Sequence, residues 1–401
     1  MILGSCFIDK QEPICYNYSK LEGGGPLKKV LLGFLKLVAI LASISLTAVF
    51  LLVFSLDSSG ADSHVSTNQV DVAIMDRFDM YMNNGLSDAL QGILAIEKVY
   101  WLNDDDLVAP EPDQSKYGYS TDPTSLGWLL EDAQKLLDGQ ETLFNTDIQI
   151  APGSQVIYYL DDTIFAVTWK QIVDGGMYTF SEVKLAHPSQ LRRYLAGGRY
   201  DSKILQVTTH MAQSVNAVVA SSGDFYANRR HGVIVYDGVV QRVNSWYVDT
   251  CYIDDKGDML FSYAGELTTM EEAQKFVDEN NIRFSMAFGP IIKDHDKLRD
   301  ISYYALGQGE DTYPRAALCQ KGDLHYVVAI VNREGYGYKT ATIYDFADVI
   351  LDLDVDMAYT LDGGQTAVLV MNDRMINAVL NGSQRAISDI FYFATAMPDG
   401  S

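Results

Sequence analysis

Cysteine and histidine are scarce in this chain of 401 residues, which contains four cysteines and six histidines. No two cysteines are spaced as C-x-x-C, which argues against zinc ribbons and iron–sulfur sites, and we predict neither a metal site nor a cofactor. Basic residues are also few, because 30 lysines and arginines stand against 53 aspartates and glutamates and the formal net charge is −23. Such a charge repels the phosphate backbone of nucleic acid, so we expect no nucleic-acid partner.

Motifs of several enzyme classes are missing as well. The sequence has no G-x-S-x-G elbow, no Walker A loop and no H-E-x-x-H pair. These absences argue against esterases of the α/β-hydrolase type, P-loop nucleotide hydrolases and zinc metalloproteases. Hydrophobic residues nevertheless make up 48% of the chain, which is enough for a folded domain with a sizeable core.

A long apolar run near the N-terminus predicts a membrane anchor. The segment Leu37–Leu56 has no charged residue, and about 20 helical residues rising about 1.5 Å each span the roughly 30 Å hydrocarbon layer. Several lysines precede this segment and no basic residue follows it until Arg77, so the positive-inside rule predicts a cytoplasmic N-terminus and an extracellular working domain. A cleaved signal peptide is the alternative, but the run is longer than a signal core and the following DSSGADS is a poor cleavage site.

We therefore divide the chain into four parts. They are a cytoplasmic tail (1–29), a transmembrane signal anchor (30–56), a stalk with a helical and extended region (57–120), and a domain of catalytic type (121–401). A helix is expected around Val70–Met82 and an extended connector over 103–118. Cys251 and Cys319 fall in the extracellular part, where they either form one disulfide or are buried separately.

The domain of catalytic type contains a few clear helix signals. Asp122 with the following proline starts one helix, Thr269 opens a capping box, and Thr342 caps a third helix. Short β-rich runs outnumber them, namely VIYYL, TIFAVTW, NAVVA, GVIVYDGVVQR, MLFSYA, HYVVAIV, MAYTL and AVLVM. Because helices and strands do not alternate regularly, we predict an α+β fold with a mixed, mostly antiparallel sheet and helices packed against it.

Three segments place polar residues in glycine-rich turns after predicted strands. They are SSGDFYANRRHGVIVYDGVVQR (221–242), TYPRAALCQKGDLHYVVAI (312–330) and AYTLDGGQTAVLVMNDRMINAVLNGSQRAISDIFYFATA (358–396). In this order and spacing they resemble the phosphodiester glycosidase family, and the stretch from 161 to 198 resembles its membrane-anchored bacterial branch. The resemblance implies a hydrolase that cleaves a sugar-1-phosphate diester, similar to an N-acetylglucosaminidase, with a phosphodiester-linked glycan and the membrane as partners. Nothing in the sequence specifies an oligomeric state.

The family's motifs fall on particular positions of this sequence. A phosphate leaving group requires cationic recognition, and the anomeric carbon requires a carboxylate that acts on water or as a nucleophile. The resemblance implies that Arg315 and Arg385 clamp the phosphate and that Asp362 and Asp224 are the base or nucleophile. The other substrate-binding residues that it implies are Ser222, Gly223, Phe225, Tyr226, Gly363, Gly364 and Asp389.

Two alternatives remain open at the level of sequence. The arginines are structural if they pair with Asp362 and Asp389 as buried ion pairs, and the aromatic residues are core if they pack beneath the sheet. The chain is a non-catalytic glycan-binding or scaffold protein if its departures from the family motifs abolish turnover. These departures are Ser222, Tyr313, Cys319, Gln365 and Thr366.

Overall fold

Antiparallel strands make up most of the fold. The computed structural model describes residues 108–302, 309–333, 337–379 and 382–396. In chain order the strands are β1 (Tyr117–Ser120), β2 (Val156–Leu160), β3 (Ile164–Val173), β4 (Gly176–Leu185), β5 (Leu191–Leu195), β6 (Val219–Ser222), β7 (Gly232–Tyr236), β8 (Val239–Asn244), β9 (Thr250–Asp254), β10 (Met259–Ser262), β11 (Ile282–Met286), β12 (Ile291–Asp294), β13 (Lys297–Leu298), β14 (Arg315–Gly322), β15 (His325–Asn332), β16 (Met357–Leu361), β17 (Leu369–Met371), β18 (Arg374–Met375) and β19 (Asp389–Phe393). The α-helices are α1 (Gly127–Leu137), α2 (Thr208–Ser214), α3 (Met270–Glu279) and α4 (Ile343–Leu351).

Nine strands form the largest sheet, in the order β1-β2-β3-β4-β15-β14-β16-β12-β13. A five-stranded sheet has the order β18-β17-β6-β19-β5, and a three-stranded sheet β10-β9-β11 and the hairpin β7-β8 complete the set. Neighbouring strands in all of these sheets run antiparallel. An isolated bridge between Gly176 and Lys339 is parallel. The predicted α+β class with a mostly antiparallel sheet is thus confirmed.

The nine-stranded sheet is covered on both faces. One face packs against the five-stranded and three-stranded sheets, and Val183 and Phe393 both belong to that core layer. The other face packs against α1 and α4, where Phe180 and Phe346 share a second layer. Because successive side chains of a strand point to opposite faces, β4 contributes to both layers and is buried along its whole length.

The sequence does not predict β4, because polar residues interrupt its apolar ones. Glu182 and Lys184 lie in this strand, and a buried carboxylate is costly unless it is hydrogen-bonded. Here Glu182 Oε1 lies 2.7 Å from His325 Nε2, and Oε2 accepts a hydrogen bond of 2.8 Å from the backbone N–H of Phe144. Tertiary partners therefore allow a strand that periodicity alone does not indicate.

The predicted helix starts are confirmed. Asp122 caps a short 3₁₀ turn that leads into α1, while Thr269 and Thr342 form capping boxes at the starts of α3 and α4. The strand predicted at NAVVA begins later, at Val219, because Asn216 has a left-handed backbone (φ 56°) just after α2 ends.

Several predictions fall outside the described residues. They are the cytoplasmic tail, the anchor Leu37–Leu56, the helix around Val70–Met82 and the beginning of the connector. Within the described ranges, no helix has both the length and the apolar character needed to cross a bilayer. Cys251 and Cys319 are described, and both are buried and free, so separate burial is the correct alternative and the disulfide is not formed.

Candidate active site

Asp362, Arg315 and Arg385 line one cavity beside the ends of two central strands. Asp362 directly follows β16, and Arg315 is the first residue of β14. These strands are antiparallel neighbours in which Ala316 pairs with Leu361, so the end of one lies beside the start of the other. The cavity has a volume of about 280 Å³, close to the lower end of the ~300–1,000 Å³ that is usual for small-molecule sites.

The Asp362 carboxylate is held through one of its oxygens. Oδ2 accepts hydrogen bonds from Thr366 Oγ1 (2.6 Å) and Arg385 Nη2 (2.9 Å). No described residue donates a hydrogen bond to Oδ1. Asp362 is only 7% exposed, and this burial raises the pKa of its carboxyl while the two donors partly offset the rise. The position thus combines a perturbed carboxylate with one oxygen that remains available to a ligand.

The two predicted clamp arginines differ in their contacts. The guanidinium carbon of Arg385 lies 4.8 Å from the centroid of the Phe225 ring, and its side chain is 44% exposed. Arg315 is directed at the backbone, since Nη2 donates to the carbonyl of Asp311 (2.9 Å) and Nε to that of Ala341 (3.3 Å). Burial lowers the pKa of Arg315. Both arginines border the cavity. Arg315 has fewer N–H donors available to a ligand than Arg385, because it donates to backbone carbonyls.

Asp224, the fourth predicted catalytic residue, lies in a buried ion-pair cluster. Nη2 of Arg193 is 3.0 Å from Asp224 Oδ1 and 2.9 Å from Asp389 Oδ2, and all three side chains are fully buried. Asp224 Oδ2 also accepts a hydrogen bond of 2.7 Å from the backbone N–H of Ala287. Asp224 is not among the described residues that line the cavity. The geometry makes Asp224 and Asp389 partners of Arg193, which lies in the stretch 161–198 and for which no site role was predicted.

Asp389 shapes the turn that follows β6. Its Oδ1 accepts a hydrogen bond from the backbone N–H of Phe225 (3.1 Å), and Oδ2 accepts one from that of Asp224 (3.3 Å). Phe225 has a φ of 59°, which is unusual for a residue with a side chain. Burial and the nearby charge of Asp224 raise the pKa of Asp389. The buried cluster therefore holds the strained turn that presents the Phe225 ring to Arg385.

Two glycines permit close backbone contacts in this region. A Cβ on Gly223 would lie 1.9 Å from Asp389 Oδ2, and one on Gly363 would lie 2.3 Å from the carbonyl oxygen of Pro314. The carbonyl of Gly223 also accepts a hydrogen bond from the backbone N–H of Asp362 (3.3 Å). The protein itself occupies the position that a Cβ would take at each glycine, although Gly363 also lines the cavity. The turn after β6 is hydrogen-bonded to the backbone of Asp362, whose carboxylate lies in the cavity.

Two other predicted substrate-binding residues, Tyr226 and Ser222, do not line the cavity. Tyr226 is buried, stacks on Tyr200 with ring centroids 5.1 Å apart and donates a hydrogen bond to its carbonyl (3.2 Å). Ser222 is buried, and its hydroxyl has no hydrogen-bond partner among the described residues. Gly364 lines the cavity. The described part of the chain contains no cluster of three or more histidine, cysteine, aspartate or glutamate side chains suited to a metal ion.

The domain is an antiparallel α+β fold in which a carboxylate and arginines line one cavity at the ends of neighbouring strands. Residues 215–394 match the family described as phosphodiester glycosidase, which confirms the resemblance that the motifs indicated. The family indicates a glycosidase-type function for the chain. No curated protein matches the chain significantly.

Solved structures match a larger share of the chain at low sequence identity. The zebrafish N-acetylglucosamine-1-phosphodiester alpha-N-acetylglucosaminidase catalytic domain, auto-inhibited by its pro-peptide, is 16% identical with a TM-score of 0.48, over 65% of this chain and 93% of that one. A hypothetical protein from Synechocystis is 13% identical with a TM-score of 0.45, over 60% and 64%. A putative exported protein from Burkholderia pseudomallei is 11% identical with a TM-score of 0.39, over 55% and 74%.

Proposed function

We propose that the protein is a glycosidase that hydrolyses sugar-1-phosphate diesters by breaking the bond between C1 of the sugar and the phosphate oxygen. The observation that carries this proposal is the Asp362 carboxylate, which lies in the cavity with Oδ1 available while Arg385 and Arg315 border the same space. The substrate would be an envelope or secreted glycan of a bacterial cell. The match of residues 215–394 to the phosphodiester glycosidase family supports this choice.

The chemistry of the leaving group suits this site. A phosphate monoester has a second pKa of about 6, so it departs near neutral pH without a strong general acid. The site must instead stabilise the phosphate and supply a carboxylate near C1 as oxocarbenium-like charge develops. The arginines serve the first need, and Asp362 serves the second through the oxygen that neither Thr366 nor Arg385 contacts.

We further propose that the protein is a single-pass membrane protein with a cytoplasmic N-terminus and an extracellular catalytic domain. The support for this topology is the uncharged run Leu37–Leu56 and the lysines that precede it. An extracellular domain would meet a glycan of the cell envelope directly.

Hydrolysis in ¹⁸O-labelled water tests which bond breaks. We expect the label in the released sugar, because water attacks C1 and the phosphate keeps its own oxygen. Mass spectrometry of both products gives the result, and a reaction without enzyme is the control. Label in the phosphate would show that the P–O bond breaks, and the protein would then be an ordinary phosphodiesterase.

A second candidate function is glycan binding without turnover. The ion pair between Asp362 and Arg385 favours it, because a carboxylate neutralised by an arginine is a weaker base. The unpartnered hydroxyl of Ser222, where the family usually has asparagine, favours it too. Saturable binding of a sugar-1-phosphate diester with no product after prolonged incubation would establish this function instead.

The pH dependence of turnover provides a test of Asp362. Burial raises the pKa of its carboxyl, and activity that needs the ionised form is lost as the pH falls through this raised value. We expect the acidic limb of kcat/KM to lie above the ordinary aspartate value of about 4. The variant R385Q should move the limb to still higher pH, because it removes a positive charge that favours the carboxylate. A limb that stays in place or moves down in R385Q would assign it to another group.

A further inference from the structure

A third arginine lies beside the cavity, outside the set that the motifs predicted. The guanidinium carbon of Arg229 is 3.9 Å from the centroid of the Phe288 ring, and Phe288 lines the cavity. Arg229 follows the turn after β6, and its backbone N–H donates to the carbonyl of Phe225 (3.1 Å). Since the Phe225 ring contacts Arg385, the loop with Arg229 is continuous with the wall of the site.

The backbone around Arg229 is fixed by a neighbouring strand. The guanidinium of Arg242, in β8, donates hydrogen bonds to the carbonyls of Tyr226 (2.9 Å), Arg229 (3.0 Å) and His231 (3.1 Å). The loop is therefore held at three points, and the guanidinium of Arg229 lies over the Phe288 ring. A guanidinium over an aromatic face can still donate from the N–H groups at its edge to an anion.

Arg229 differs from the other two arginines in what its donors contact. Arg385 is paired with Asp362, and Arg315 donates to backbone carbonyls. No described residue accepts a hydrogen bond from the guanidinium of Arg229. Burial raises the pKa of Asp362, and the charge of Arg229 acts against this rise, which places the guanidinium within electrostatic reach of the carboxylate.

We propose that Arg229 binds the phosphate of the sugar-1-phosphate diester and thereby selects phosphate-linked substrates over ordinary glycosides. This inference rests on the proposed function. In the reaction the C1–O bond breaks and its electron pair stays on the phosphate oxygen, while a water oxygen bonds to C1 and its proton passes to Asp362 and then to solvent. Arg229 donates hydrogen bonds to a non-bridging phosphate oxygen and stabilises the charge that grows there.

The adjacent residue Arg230 offers a matched control. It is exposed on the same loop, and R230A removes the same charge without a contact to the cavity wall. With the full chain in detergent and the methyl diester of N-acetylglucosamine-1-phosphate as probe, we expect R229A to raise KM about 10- to 100-fold. R230A should change KM less than about twofold, and R229K should recover part of the loss.

Two further measurements separate the selectivity from a structural effect. R229A should lower kcat/KM far less for a neutral p-nitrophenyl glycoside than for the diester, at a pH above the acidic limb, because the neutral probe has no phosphate. Calorimetric binding of the methyl diester should weaken in R229A and not in R230A, whether or not turnover occurs. If the wild-type chain binds the diester without cleaving it, the proposed function is refuted. The binding affinities of R229A and R230A then decide this inference. Equal effects of R229A and R230A, or no binding and no turnover by the wild type, would overturn it.

Discussion

Replacing Asp362 by asparagine is expected to lower kcat for a sugar-1-phosphate diester by about 10²- to 10⁴-fold. The amide can still accept the hydrogen bonds that Thr366 and Arg385 donate, so the local structure should persist. It cannot take a proton from water or form a bond to C1. The loss should therefore appear in kcat, with a smaller effect on KM.

Steady-state kinetics of the full chain measure this effect, and thermal unfolding checks that D362N remains folded. Asp296, exposed in the turn between β12 and β13, supplies the control variant D296N, which should behave as the wild type. A D362N protein with more than about a tenth of the wild-type kcat would show that Asp362 is not the base or nucleophile.

The variant R193L is expected to lower the free energy of unfolding by about 3–5 kcal/mol. Arg193 lies between the buried carboxylates of Asp224 and Asp389, and leucine would leave both without a cation. Because Asp389 also holds the turn that contains Phe225, activity should fall together with stability. Denaturant unfolding at several pH values measures the loss.

The loss of stability in R193L should depend on pH because Asp389 is a buried carboxyl group. Burial raises the pKa of Asp389 in the folded state above that in the unfolded chain. Its contribution to stability is thus fully present below the unfolded pKa and is lost as the pH rises through the folded one. Without Arg193 the folded pKa rises further, so the destabilisation of R193L should be larger near pH 8 than near pH 5.

A combined variant provides the control for R193L. Adding D224N and D389N removes the two unpaired charges, and the triple variant should recover part of the lost stability. If R193L alone costs less than about 1 kcal/mol, or if the triple variant is no more stable than R193L, the cluster does not depend on the balance of charge that we describe.

Local signals in the sequence predicted the parts of the fold that depend on local chemistry. The caps at Asp122, Thr269 and Thr342 lie where their sequence patterns placed them, because a cap satisfies donors within its own first turn. The β-rich run GVIVYDGVVQR is also confirmed, and the structure divides it at Asp237 and Gly238 into the hairpin β7-β8. The strand β4 was not, because its polar residues are satisfied by distant partners such as His325.

The candidate site shows the same division. The motifs placed Asp362 and Arg385 beside one another, and the structure brings them to 2.9 Å. Motifs did not reveal that Asp224 faces Arg193, because the two residues are 31 positions apart and no site role was predicted for Arg193. The alternative that these residues form structural ion pairs is correct in part. Asp389 is paired, but its partner is Arg193 and neither Arg315 nor Arg385. Ion pairs between distant parts of the chain depend on the fold and leave no periodic pattern in the sequence.

The central position of β4 limits how the protein can be dissected genetically. This strand pairs with β15, and β5, which carries Arg193, pairs with β19. The strands β4 and β5 precede the family segment 215–394, whereas β15 and β19 lie within it. A fragment trimmed to that segment would carry an open hydrogen-bonding edge on β15 and two acids sealed inside without their counter-ion, a combination that favours aggregation over folding. The smallest fragment that folds on its own must therefore begin before residue 215.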